Sequence, residues 1–210
     1  MSITAVWGPP NSGKTTLAID LAYALTRYGR SVCLLSPEPY GELGARLGLN
    51  IPQERSLLGV SKGEASLEQT ALRVSDLLLV LGAGANEDAF GEDLGSEGAK
   101  RLLDRAEKVV LLSGCRSASG LWFSACARAL AAISGKAVPV CLEVSPNMDY
   151  PGLLKLENMT PALWVPYYPG AEEAQGEKKT LYGSGGRSGR AYTESIDALC
   201  AILLEEGEEA

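Results

Sequence analysis

Thr4-Ala5-Val6-Trp7-Gly8-Pro9-Pro10-Asn11-Ser12-Gly13-Lys14-Thr15-Thr16-Leu17-Ala18-Ile19-Asp20-Leu21 decides how the rest of this chain is read. The run that ends at Trp7 has the apolar character of a buried strand, and an amphipathic helical pattern begins at Lys14. Between them, Gly8 to Thr15 satisfies GxxxxGK[ST], a pattern that carries weight when it joins a strand to a helix in this way. In such a turn the backbone N–H groups from Asn11 to Thr16 converge on an anion-sized concavity, with the positive end of the helix behind them. Gly13 permits close approach of the backbone to phosphate oxygens. Lys14 is then placed to reach the β and γ phosphates as a point charge, and the Thr15 hydroxyl to take one position around Mg²⁺. The binding candidates are Gly8, Asn11, Ser12, Gly13, Lys14, Thr15 and Thr16, with Thr15 also the metal candidate and Lys14 also a catalytic one. The bland alternative is a tight strand-to-helix turn with a solvated lysine.

Outward from this loop, apolar runs alternate with helical patterns, which predicts β-α-β units and an α/β fold with a parallel sheet. The periodicity predicts a strand over 3–7 and a helix over 14–28 with Leu17, Leu21, Ala24 and Leu25 on one face, stopped by Gly29. Further strands are expected at 32–35, 76–81, 109–112, 137–144 and 162–166. Helices are expected at 40–49, 65–74, 98–108, 119–133 and 191–204, with a loop-rich stretch up to Gly63 and loops at 84–98 and 183–190. No internal repeat is present, and 210 residues with 46% hydrophobic side chains suit one domain over 1–210.

Composition narrows the chemistry. There is no histidine, so the usual general base and the commonest nitrogen metal ligand are missing. The five cysteines, Cys33, Cys115, Cys126, Cys141 and Cys200, form no CxxC pair and read as small buried hydrophobes of a reducing compartment. The N-terminus reads as neither a signal peptide nor a targeting helix, and no apolar stretch approaches the roughly 18–20 residues that span a bilayer. A cytoplasmic protein is expected. A net charge of −7 opposes non-specific attraction to a nucleic-acid backbone.

The loop, followed by Thr16 to Leu25 and then Gly29-Arg30-Ser31-Val32-Cys33-Leu34-Leu35, resembles the MinD/ParA family of P-loop ATPases. Pro39-Tyr40-Gly41-Glu42-Leu43-Gly44-Ala45-Arg46-Leu47-Gly48-Leu49 and Trp164-Val165-Pro166-Tyr167 extend the likeness. The resemblance implies a P-loop NTPase three-layer sandwich with a mostly parallel central sheet, ATP/ADP and Mg²⁺ as cofactors, and a homodimer formed around nucleotide. ATP rather than GTP also fits the absence of an Asn-Lys-x-Asp motif. The resemblance further implies base contacts from Asn147, Pro166 and Tyr167, although Asn147 beside Pro146 reads equally as a turn residue. Glu38, held between two prolines, is either an active-site acid or a surface carboxylate.

The departures from the family pattern are specific. Pro9 stands where the family carries a second lysine that crosses to the partner's nucleotide, and Ser36 stands in place of a water-positioning aspartate. Leu79-Val80-Leu81 runs into Gly82 where an aspartate normally supports Mg²⁺, leaving Glu87 or Asp88 as substitutes or as solvated loop acids. The resemblance implies a weakly hydrolysing nucleotide-dependent switch that positions cargo, such as a plasmid, a chromosome region or a pilus or secretion apparatus. The alternative is a non-hydrolysing nucleotide-binding scaffold or protein-interaction module. The acidic end Glu205-Glu206-Gly207-Glu208-Glu209-Ala210 argues against membrane binding. A DNA partner would rest on Lys178, Lys179, Arg187 and Arg190, so a protein partner is favoured.

Overall fold

The computed structural model describes residues 2–36, 42–52, 56–82, 103–116 and 118–205. Strand β1 (Thr4–Trp7) leads into helix α1 (Lys14–Arg27) and strand β2 (Val32–Ser36). Short helices α2 (Glu42–Leu47), α3 (Leu57–Ser61) and α4 (Leu67–Thr70) precede β3 (Leu72–Arg73) and β4 (Leu78–Gly82). Then come β5 (Lys108–Leu112), α5 (Ser119–Ala125), α6 (Ala127–Ile133), β6 (Ala137–Leu142) and α7 (Tyr150–Leu156), and finally β7 (Leu163–Val165), α8 (Ala171–Gly176) and α9 (Gly186–Leu204).

The strands hydrogen-bond in two sections, β1-β5-β6-β7, all parallel, and β2-β4-β3, where only β3 runs antiparallel. Alternation along the strands explains why both faces are covered. In β5, Val110 and Leu112 face a cluster with Leu17, Leu21 and Ala24 of α1 and with Tyr192, Ile196, Leu199 and Cys200 of α9. Val109 faces the other way, toward Leu103, Ala106 and Ile133. Cys141 of β6 meets Tyr150, Leu153 and Leu154 of α7 on that second face. Two helical layers around a sheet follow directly, since strands buried on both sides are apolar at nearly every position.

Helix α1 joins the two strand sections. Its Leu17, Leu21 and Ala24 stripe rests on β5 and β6, while Ile19 and Ala22, nearly half a turn away, pack with Leu78 and Val80 of β4 and Leu43 of α2. The helix stops as expected: Gly29 has φ 73°, and the Arg30 N–H returns to the Leu25 carbonyl at 3.1 Å. Pro139 sits within β6, between two neighbours, without breaking the sheet. Its carbonyl accepts the Ala162 N–H at 2.8 Å, so its missing donor faces the side where β7 has not yet begun to pair.

Several expectations are corrected. The pattern read as a helix over 65–74 is α4 followed by β3. Ser66 and Gln69 close a capping box, Ala71 turns extended, and pairing of Leu72 and Arg73 with β4 overrides local propensity. The stretch up to Gly63 contains α3, and the helix over 119–133 is interrupted at Cys126, whose φ and ψ are −91° and 8°. The last helix begins at Gly186 rather than 191, so Arg187 and Arg190 lie on its exposed first turns. Cys33 is exposed, whereas Cys141 and Cys200 are buried. No described helix is long and apolar enough to cross a membrane.

Candidate functional site

The parallel strands β1, β5, β6 and β7 end on one edge, and the Gly8–Gly13 loop folds over it. Gly8 is buried where an added Cβ would lie 2.9 Å from the Leu112 Cβ, so no larger residue fits between the loop and the end of β5. Pro9 and Pro10 carry no N–H, so the loop's free donors begin at Asn11. Asn11 has φ 62° and Gly13 φ 86°, and two left-handed residues around Ser12 turn the chain sharply into α1. Ser12 is 1% exposed, and its N–H reaches the Pro9 carbonyl at 3.4 Å. The same carbonyl accepts Lys14 Nζ at 3.0 Å, which folds the lysine back across the loop.

Gly13 carries the tightest constraint. A Cβ there would meet Leu142 Cδ2 at 2.6 Å and Val144 Cγ1 at 3.2 Å, at a backbone conformation that disfavours side chains. Gly13→Ala is therefore expected to destabilise the protein by about 1–3 kcal/mol, combining left-handed strain with overpacking. Urea unfolding checks this, and an unchanged midpoint would show that Leu142 and the loop move aside freely.

Behind the loop, Gly13 and Thr16 share a pocket with Glu143, Val144, Tyr167, Tyr168, Gln175 and Tyr192. Gln175 of α8 donates to Thr16 Oγ1 at 3.3 Å. Glu143, just past β6, accepts the Trp164 indole N–H at 2.6 Å and the Tyr167 backbone N–H at 3.0 Å. Pro166 and Tyr167 are half-buried beside it, while Asn147 occupies an exposed turn, its N–H directed to Ser145 Oγ at 3.4 Å. Asn147 does not line the pocket. A larger concavity of about 230 Å³, lined by Glu173, Glu177 and Lys179 among others, contains no residue of the Gly8–Thr15 loop.

At the neighbouring strand ends, β2 finishes on Ser36 and β4 on Gly82. Among the described residues no group of three acidic or cysteine side chains could hold a metal. Glu38, Glu87 and Asp88 lie outside the described residues, as does Pro39-Tyr40-Gly41.

The sequence pattern did not single out Asp20, Glu143, Gln175 or Glu157. Asp20, 1% exposed within α1, accepts from the Thr180 hydroxyl, from the Leu181 and Tyr182 N–H groups at 2.9 and 3.2 Å, and from Tyr192 Oη at 2.6 Å. It ties α1 to the wall of the pocket that Leu181 and Tyr192 form. An acid on the apolar face of a helix was the available signal, because an unpaired carboxylate is not left in a core. Lys179 is paired with Glu177 at 2.6 Å, and Lys178 lies against Gly48.

The comparisons with known proteins agree with this geometry. The chromosome-partitioning ATPase Soj of Thermus thermophilus is 35% identical over 147 residues, 68% of this chain and 55% of that protein. The chain belongs to the MinD/ParA family. It spans about half the length of that relative. Among solved structures of the family's fold, MinD of Aquifex aeolicus superposes with a TM-score of 0.72 at 13% identity, covering 100% of this chain and 99% of its own. The septum site-determining protein MinD of Pyrococcus horikoshii, complexed with Mg-ADP, gives 0.72 at 15% identity over 97% and 96% of the two chains. No protein-family model matches the chain. The MinD fold thus spans the chain, with β2 ending on Ser36 and β4 on Gly82 at the sheet edge.

Proposed function

We propose that this chain binds ATP with Mg²⁺ at Gly8 to Thr15 and acts as a nucleotide-dependent switch that positions cellular cargo. The observation that carries the reading is the loop itself. Asn11 and Gly13 are left-handed, and the turn feeds directly into a 14-residue helix whose first N–H groups face the loop. Ser12, Gly13, Lys14 and Thr15 hold the phosphates, Thr16 completes the helix start, and Tyr167, Pro166 and Asn147 are the proposed base contacts. The two solved relatives support the assignment at the level of fold, one of them carrying Mg-ADP.

Magnesium fits this donor set in a restricted way. The Thr15 hydroxyl is a hard oxygen ligand, whereas Ser36 and Gly82 end the strands from which carboxylates would come. The ion would enter with the nucleotide and neutralise phosphate charge. Glu38 is the proposed catalytic acid, and turnover is slow. The partner is a protein rather than DNA, the working unit is a homodimer, and the compartment is the cytoplasm. A partitioning role is supported by Soj, and complex formation with a protein by the MinC:MinD complex of Aquifex aeolicus.

A second reading, a nucleotide-binding scaffold without hydrolysis, is favoured by Ser36 and Gly82 at the two strand ends. Phosphate release during saturable ATP binding separates the two. Release above the background of a Lys14→Ala control supports the switch, and binding with no release supports the scaffold. No binding at millimolar nucleotide would sink both.

A further inference from the structure

Glu157 caps the end of α7 and turns inward, where it is 7% exposed. Its Oε1 accepts the Gly114 N–H at 2.9 Å. Its Oε2 has no hydrogen-bond partner among the described residues. Gly114 has no room for a side chain: a Cβ would lie 1.9 Å from Ser119 Oγ and 2.5 Å from Glu157 Oε1. The carboxyl and the start of α5 therefore close directly on bare backbone. Just upstream, the Ser113 N–H donates to the Val140 carbonyl at 3.0 Å, which locks the end of β5 to β6. Just downstream, Cys115 Sγ donates to the Asn11 carbonyl at 3.1 Å.

We propose that Glu157 is a positioning residue for the phosphate loop, acting through Gly114 and Cys115 on Asn11. This rests on the nucleotide-binding reading above. Asn11 is the exposed, left-handed residue at which the loop's available N–H donors begin, so its carbonyl orientation sets where the neighbouring donors point. A carboxyl is costly to bury, and here that cost is met for one backbone N–H. An apolar side chain would hold α7 against the sheet equally well but would leave the Gly114 N–H unpaired. Burial raises the Glu157 carboxyl above its ordinary range, the Gly114 N–H opposing it, so a neutral group with the same acceptor suits the site.

The test compares Glu157→Ala, Glu157→Gln and Cys115→Ala. In nucleotide-free protein, iodoacetamide labelling of Cys115, located by peptide mass, should be about tenfold faster in Glu157→Ala, the scale of one lost buried hydrogen bond. The same variant, folded by circular dichroism, should bind a fluorescent ATP analogue about tenfold more weakly, and Glu157→Gln should bring both to within about threefold of the parent. A merely structural role would lower the melting temperature of Glu157→Ala but leave labelling rate and affinity unchanged, which overturns the proposal. Should Glu157→Ala not fold, Cys115→Ala decides: weakened binding supports the relay and unchanged binding overturns it. If the parent binds no nucleotide, the function proposed above fails, while the Cys115 labelling rate still judges the relay.

Discussion

Lys14→Ala should lose ATP binding by at least about 100-fold, because two charge-assisted contacts to phosphate are each worth roughly 1.5–3 kcal/mol. The loss should come with little change in fold. Lys14 is a half-buried residue whose Nζ bonds the Pro9 carbonyl, and that carbonyl keeps the Ser12 N–H as a donor. Titration of a fluorescent ATP analogue, with thermal unfolding on the same samples, checks both parts. Equal affinity in parent and variant would mean that the loop is a structural turn. A parallel loss of melting temperature and affinity would mean that Lys14 acts chiefly by holding Pro9.

The largest stability effect is expected at Asp20. Asp20→Leu leaves the Leu181 N–H, the Thr180 hydroxyl and the Tyr192 hydroxyl facing an apolar side chain in a buried site, while the Tyr182 N–H keeps Thr180 Oγ1 at 3.2 Å. At about 1–3 kcal/mol for each orphaned donor, a loss of about 3 kcal/mol or more is expected, a large part of the 5–15 kcal/mol typical of a domain. Urea unfolding measures it, and a change below about 1 kcal/mol would show that the segment around Thr180 to Tyr182 re-solvates without cost. Asp20→Asn keeps one acceptor and should lose less.

The same residue gives stability a pH dependence. Burial raises the Asp20 carboxyl above 3.8, outweighing the Thr180, Tyr192, Tyr182 and Leu181 donors that lower it. The native state then holds the proton more tightly than the unfolded chain. Asp20's contribution is fully present below 3.8 and is lost as pH rises through the raised native value. Denaturant midpoints for Asp20→Asn should decline less steeply over that window than those of the parent. Identical slopes would show that the carboxyl is not raised.

Glycines, prolines and periodicity made the core architecture readable. Trp7 ending an apolar run, Gly13 before Lys14, and Leu17, Leu21 and Ala24 on one stripe are local patterns, and each has its expected place in β1, the loop and α1. The Gly8–Gly13 turn was legible for the same reason, since its conformation depends on left-handed residues and a helix start within a few positions of each other. Elements governed by distant pairing were not. Leu72 and Arg73 look helical in isolation and become a strand because β4 offers an edge, while the glycine-rich run before Ala191 becomes helix where Gly189 lies against the Ser184 carbonyl.

The same division holds for the site. By itself the sequence determined the strand-loop-helix unit and the alternating α/β order, because those properties reside in neighbouring residues. Only the tertiary structure decided that Asp20 is a buried anchor, that Glu143 holds the Tyr167 N–H, and that Glu157 reaches the loop through Gly114 and Cys115. Each of these contacts joins residues far apart in the chain. A carboxylate carries the same local pattern whether it is solvated or buried, so its role is set by the donors that folding brings to it.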